Sequence, residues 1–163
     1  MWSKASQLKH SLTLALRRIF FCISLSAPVL QLIDRNRSGM ELGPRGELAA
    51  ERFLLKQGYW IIGRGVGEKT GEIDLIASDA RDLIFVEVKS RSSDAAGDPS
   101  EAVDAEKQRH ICQTARLFAV RNGVEDSPLR FDVISILWPN PQKQPAITHY
   151  RNAFEAIGDF QMF

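Results

Sequence analysis

Between Gly71 and Arg91 the chain reads GEIDLIASDARDLIFVEVKSR, two apolar stretches separated by a polar one. Glu72–Ala77 and Leu83–Lys89 are dense in β-branched and aromatic residues, which suit strands. Ser78–Asp82 is built from residues that suit turns. The pattern predicts a β-hairpin, and the periodicity of the remaining chain predicts five more elements around it.

A first helix is expected from Pro44 to Gln57. Pro44 fits its first turn and Gly58 the position just past its end. Glu47, Ala50 and Leu54 fall on one stripe at helical spacing, so the carboxylate shares the face that should meet the sheet. Tyr59–Ile62 reads as a strand and the glycine-rich Gly63–Gly71 as a connecting loop. After the small, polar residues from Ser90 to Gly97, Asp98 is placed to cap a second helix. Pro99 would be its first residue, with Glu101 three beyond the cap. That helix runs to about Arg121, with Val103, Lys107, His110, Ile111, Thr114 and Phe118 on one stripe. Leu129–Leu137 is apolar on both faces, as in the centre of a sheet. Pro139–Pro145 is a loop, Ile147–Tyr150 a short edge strand, and the residues from Asn152 onward a loose tail. The order from Met40 is α-β-β-β-α-β-β, an α/β fold with a mixed sheet flanked by helices.

Strand side chains alternate between faces. Glu72 and Asp74 therefore share a face, as do Glu87 and Lys89, and a hairpin can bring all four together. Charges inside apolar strands break a local rule, and such breaks mark functional sites. Clustered carboxylates suit a hard cation: Mg²⁺ takes one or two carboxylates and completes its shell with water. Asp74, Glu87 and the Val88 carbonyl are the candidate ligands, with Mn²⁺ able to substitute. Lys89 would sit beside a bound water, and Glu47 would support the site from the first helix. The plainer reading is a surface hairpin with cross-strand ion pairs. Arg64 and Lys69 in the glycine-rich stretch, with Glu72, Arg91 and Lys107, are candidate substrate contacts. Asp132 is expected to partner a basic side chain, and His110 and His149 to be structural.

Composition changes the picture in two places. The 163 residues fit one domain with a sizeable core, and two cysteines supply no disulfide framework. The net charge of +1 divides into +5 for residues 1–39 and −4 for the rest. The body thus lacks the basic footprint of many nucleic-acid binders, which counts against DNA. Residues 1–33 contain no acid, and the apolar run Ile19–Leu30 is too short to span a bilayer, so no stable membrane insertion is expected. The leader reads as a targeting segment, as a disordered or membrane-surface extension, or as an over-extended start with translation beginning at Met40. The last is preferred, because folded-domain signals begin directly after Met40. The body, residues 40–163, is read as a single domain of a cytoplasmic protein.

The spacing Glu47…Asp74…Glu87-Val88-Lys89 resembles the restriction-endonuclease-like, or PD-(D/E)XK, nuclease superfamily. Within it, GELAAERFL, GYWII, GEIDLIA, FVEVKSR, GDPSEAV and RFDVISI are similar, in order, to the uncharacterised YraN-type family over nearly all of residues 43–154. The resemblance implies a four-stranded mixed sheet between helices with the site on the central hairpin. It implies that Asp74 and Glu87 bind Mg²⁺, Lys89 assists the water and Glu47 supports the metal. The implied activity is hydrolysis of nucleic-acid phosphodiesters, DNA before RNA. Archaeal Holliday-junction resolvases are similar in using these four residue types in this order, which implies selectivity for branched DNA and a homodimer as candidate assembly. Ile73 stands where the nominal motif has proline, and Gly65 where YraN-type proteins usually carry asparagine after arginine. The alternative is a nuclease-like accessory that binds nucleic acid without turnover.

Overall fold

The structure, a computed structural model, describes residues 41–68, 71–79, 81–92, 103–140 and 143–157. The basic leader, Lys69 and the expected cap Asp98 with Pro99 and Glu101 lie outside them. The elements are α1 (Leu42–Lys56), β1 (Trp60–Glu68), β2 (Gly71–Ser78), β3 (Leu83–Arg91), α2 (Ala105–Asn122), β4 (Leu129–Leu137) and β5 (Ala146–Phe154). This is the order the periodicity predicts. The sheet runs β1-β2-β3-β4-β5, with β3 and β4 parallel and every other pair antiparallel. It has five strands where the resemblance implied four.

The sheet separates two apolar layers. On one face Ala50 and Leu54 of α1 pack with Leu75, Ala77, Ile84, Val86, Ile134 and Ile136. On the other, Ile111, Cys112, Ala115 and Ala119 of α2 pack with Ile73, Ile76, Leu83, Phe85, Phe131 and Val133. β3 and β4 feed both layers, which is why their sequences are apolar without alternation.

α1 ends as predicted. Gly58, at φ 84°, donates to the Leu55 carbonyl and Tyr59 to that of Leu54, each at 3.1 Å, while Tyr59 and Leu54 share the core. α2 begins later than predicted. Val103 and Asp104 are not helical, and it is Asp104 that caps, accepting from the Lys107 N–H at 2.8 Å. Two aspartates six residues apart both carry cap chemistry, and the second is used.

Two further expectations are corrected. Gly63–Glu68 belongs to β1 rather than to a loop, paired along β2 after a bulge between Ile61 and Gly63. Glycine lowers strand propensity but leaves the backbone able to pair, and the apolar edge of β2 supplies the partner. Similarly, β5 continues through Asn152 to Phe154. Asn152 sits at φ 51° where the β4–β5 register shifts, and Asp132 accepts its N–H at 2.9 Å. Phe154 then stacks on Phe131 at 5.1 Å.

Asp132, fully buried, also binds the Arg130 guanidinium through both oxygens and His149 Nε2 at 2.8 Å. Arg130 reaches Asp79 and Asp82 of the hairpin turn. Burial opposes the Asp132 charge, yet the bonds from His149, Arg130 and Asn152 hold it below the usual carboxylate range. The basic partner and the structural role of His149 are thus as expected. No helix of the described residues is long and apolar enough to cross a membrane.

Candidate active site

The hairpin is zipped only from Leu75–Val86 to Ser78–Leu83. Its next rung would pair Asp74 with Glu87, but the backbone ladder stops there. The Val88 N–H is bound instead by Asp74 Oδ2, at 2.6 Å. Ile76 and Phe85 face α2, so Asp74 and Glu87 continue that row at the splayed end.

The β1–β2 ribbon twists at this level. Gly65, opposite Asp74 by register, adopts φ 52°, and beyond it Val66 and Ile73 both turn towards α2. A side chain at Gly65 would come within 2.9 Å of Glu72 Oε1, so glycine keeps the face open. The ribbon then meets α2 at Gly71, where a Cβ would lie 3.3 Å from that of His110, with Thr114 Oγ1 3.5 Å from the Gly71 carbonyl oxygen. Strict alternation, which would hold Glu72 beside Asp74, fails at this twist. Glu72 is instead one of the charges that raise Glu47.

Glu47 arrives from α1 because Gly46 lets the helix touch the end of β3. A Cβ on Gly46 would overlap Ser90 Oγ and stand 2.9 Å from Ser90 Cβ. Burial, then the charges of Glu72 and Glu87, raise the Glu47 carboxyl above its ordinary range. Asp74 is pushed further, to about 7, by burial first and Glu87 next, with Glu47 adding to it. Its bond from Val88 and the Lys107 ammonium work the other way. Like charges held this close favour a proton or a cation at the site.

Glu87 is buried, with Lys89 Nζ 2.8 Å from Oε1 and Lys107 Nζ 3.2 Å from Oε2. The second is an ion pair without hydrogen-bond alignment, and Glu87 Oε2 has no hydrogen bond. Among the described residues no three His, Cys, Asp or Glu side chains would hold a metal by themselves. The donors fit Mg²⁺ nonetheless, since two carboxylates and a carbonyl with water suffice, and one of those oxygens is buried and unsatisfied.

The remaining candidates are more scattered. Arg64 makes a two-pronged pair with buried Glu51 of α1, with Nε 2.8 Å from Oε2. Arg91 closes β3, its carbonyl accepting from Trp138 N–H at 2.8 Å. Lys107 lies at the site, and Lys69 is outside the described residues. The sequence pattern did not single out Gly46 or Asp104, which place Glu47 and Lys107, and it marked Gly65 only as a departure from the family pattern. A glycine early in a helix, directly before a candidate acid, was the available signal.

The profile of the uncharacterised protein family UPF0102 matches residues 46–136. A UPF0102 protein of Symbiobacterium thermophilum is 46% identical over 115 residues, covering 71% of this chain and 97% of its own length. One from Rhodopirellula baltica is 38% identical over 129 residues, covering 77% and 75%. One from Geotalea uraniireducens is 40% identical over 114 residues, covering 70% and 89%. The matched span includes Glu47, Asp74, Glu87, Lys89 and Lys107.

Proposed function

The chain belongs to the uncharacterised protein family UPF0102, the YraN family its sequence resembles, and we propose that it is a Mg²⁺-dependent nuclease that hydrolyses nucleic-acid phosphodiester bonds. The observation that carries this reading is the splayed rung. Asp74 sits level with Glu87, takes the Val88 N–H in place of a ladder partner, and leaves Glu87 Oε2 unsatisfied.

Asp74, Glu87 and the Val88 carbonyl would hold the cation, with Mn²⁺ as a substitute. When bound, it supplies Lewis acidity and a water of lowered pKa. Lys89 orients the attacking water for in-line approach and neutralises charge developing on the phosphate. Glu47 positions the solvent shell from α1. Lys107, Arg91, Lys69 and Arg64 are the groups assigned to substrate phosphates, and Glu72 borders their path. DNA is preferred over RNA, branched DNA over linear, the homodimer is the assembly to test, and the cytoplasm is the expected compartment.

The test is incubation of purified protein with branched, flapped and linear DNA, and matched RNA, in Mg²⁺ or Mn²⁺. Cleavage that drops ~100-fold or more in Lys89→Ala is expected, the range of a positioned proton-transfer or charge-stabilising group. Cleavage undiminished in that variant contradicts the role of Lys89. A second reading, a non-catalytic nucleic-acid-binding accessory, is favoured by the −4 charge of the body. Binding that weakens steeply with salt, without cleavage in any metal, selects it.

A further inference from the structure

Glu87 is served by two ammonium groups in unequal ways. Lys89, two residues along the same strand, donates a hydrogen bond to Oε1 at 2.8 Å. Lys107 comes from α2, across the layer, and its Nζ stands 3.2 Å from Oε2 without satisfying that oxygen. The Glu87 side chain is 5% exposed and that of Lys107 34% exposed. The Lys89 side chain, 28% exposed, is nearly as open, so the two ammonium groups differ in alignment: Lys89 is hydrogen-bonded to Glu87 and Lys107 is held by charge alone. The Lys107 N–H is the one that Asp104 caps, so its ammonium moves on a four-carbon stem that is partly exposed.

We propose that Lys107 is a built-in occupant of the cation site, paired with Glu87 Oε2 in the metal-free protein and expelled when a divalent cation takes that oxygen. This rests on the nuclease reading of the same site. The physical case is competition for one atom. A hard dication binds a carboxylate oxygen directly, whereas an ammonium at ion-pair distance keeps only part of that energy. An ammonium and a dication drawn to the same oxygen repel each other within one buried volume, so each weakens the other's hold on it. The expelled ammonium stays on its stem beside the bound cation, where phosphate oxygens of a substrate would lie. Lys107 therefore offsets acidic repulsion from Glu87, Asp74 and Glu47 before loading and becomes a phosphate contact afterwards. By linkage, whatever Lys107 gains from Glu87 is lost to cation affinity by the same factor.

The experiment is a Mn²⁺ titration of the full chain without nucleic acid, read by loss of the free-ion electron paramagnetic resonance signal and by the melting temperature with and without Mn²⁺. Wild type is compared with Lys107→Met, Lys107→Arg and Asp74→Asn. Lys107→Met should melt lower than wild type without metal, bind Mn²⁺ about five-fold or more tightly, and gain more on saturation. Lys107→Arg should stay near wild type. Equal or weaker Mn²⁺ binding by Lys107→Met, while Asp74→Asn loses it, overturns the exchange and leaves the metal site standing. Mn²⁺ binding that is absent from wild type, or unchanged in Asp74→Asn, removes the metal site and this inference with it. Should Lys107→Met fail to fold, Lys107→Gln takes its place with the same expectations.

Discussion

Asp74 occupies the place of a strand: its carboxylate accepts the Val88 N–H at 2.6 Å just where the β2–β3 ladder ends. A single residue thereby ends the hairpin and brings its own charge beside Glu87. Asp74→Asn keeps an oxygen for Val88 and removes a charge that burial and Glu87 disfavour. The metal-free variant should melt at or above wild type, while cleavage falls ~100-fold or more as a transition-state electrostatic group is lost. Paired melting and cleavage assays check this, and a variant that melts well below wild type contradicts it.

The same carboxyl sets a pH dependence. Asp74 titrates at about 7 when folded against roughly 3.9 when unfolded. Between those values the folded chain holds more protons than the unfolded one, so raising pH favours unfolding. The stability contributed by the neutral form is complete below the unfolded value and is lost as pH rises towards 7. Metal-free stability should fall across that window by up to about 1.4 kcal/mol per pH unit, with Glu47 adding in the same sense. Asp132 and Asp79 are held low and oppose this only in acid, where their stabilisation is lost as pH falls below about 4. Saturating Mg²⁺ should flatten the decline. Denaturant melts from pH 4 to 8, with and without Mg²⁺, measure it.

Gly46 should tolerate no side chain. Gly46→Ala meets Ser90 Cβ at 2.9 Å as well as its hydroxyl, so α1 must shift. A loss of about 1–3 kcal/mol is expected, as for other overpacked cores, together with weaker cleavage because Glu47 moves with the helix. Gly46→Ala with Ser90→Gly should recover most of both, by urea melts and turnover.

Arg64 ties β1 to α1 through Glu51, which is 4% exposed. Arg64→Ala leaves a buried carboxylate alone and should cost about 1–3 kcal/mol. If Arg64 acts only through Glu51, Arg64→Met with Glu51→Met regains stability and keeps DNA binding. Restored stability with lost binding would assign Arg64 to substrate phosphates as well.

How much of this was legible beforehand follows from the physics of each element. β3 and β4 are apolar on both faces and admitted one reading, and Glu87-Val88-Lys89 stood out against that background. The Gly63–Gly67 part of β1 did not, because glycine advertises flexibility while the pairing is decided by β2. The late start of α2 was hidden by two equivalent caps. Strict alternation along β2 assumes a flat ribbon, and the twist at Gly65 that interrupts it is a tertiary event. The convergence of Glu47 was readable from helical spacing, but the contact of Gly46 with Ser90 that enforces it joins residues too distant in the chain for any local pattern to report.

The most direct measurement is a crystal structure of the protein soaked in Mn²⁺, with anomalous diffraction recorded at the manganese edge. The account predicts an anomalous peak within coordination distance of Asp74, Glu87 Oε2 and the Val88 carbonyl. Glu87 liganded only by Lys89 and Lys107 at saturating Mn²⁺, with no peak beside Asp74, would contradict it.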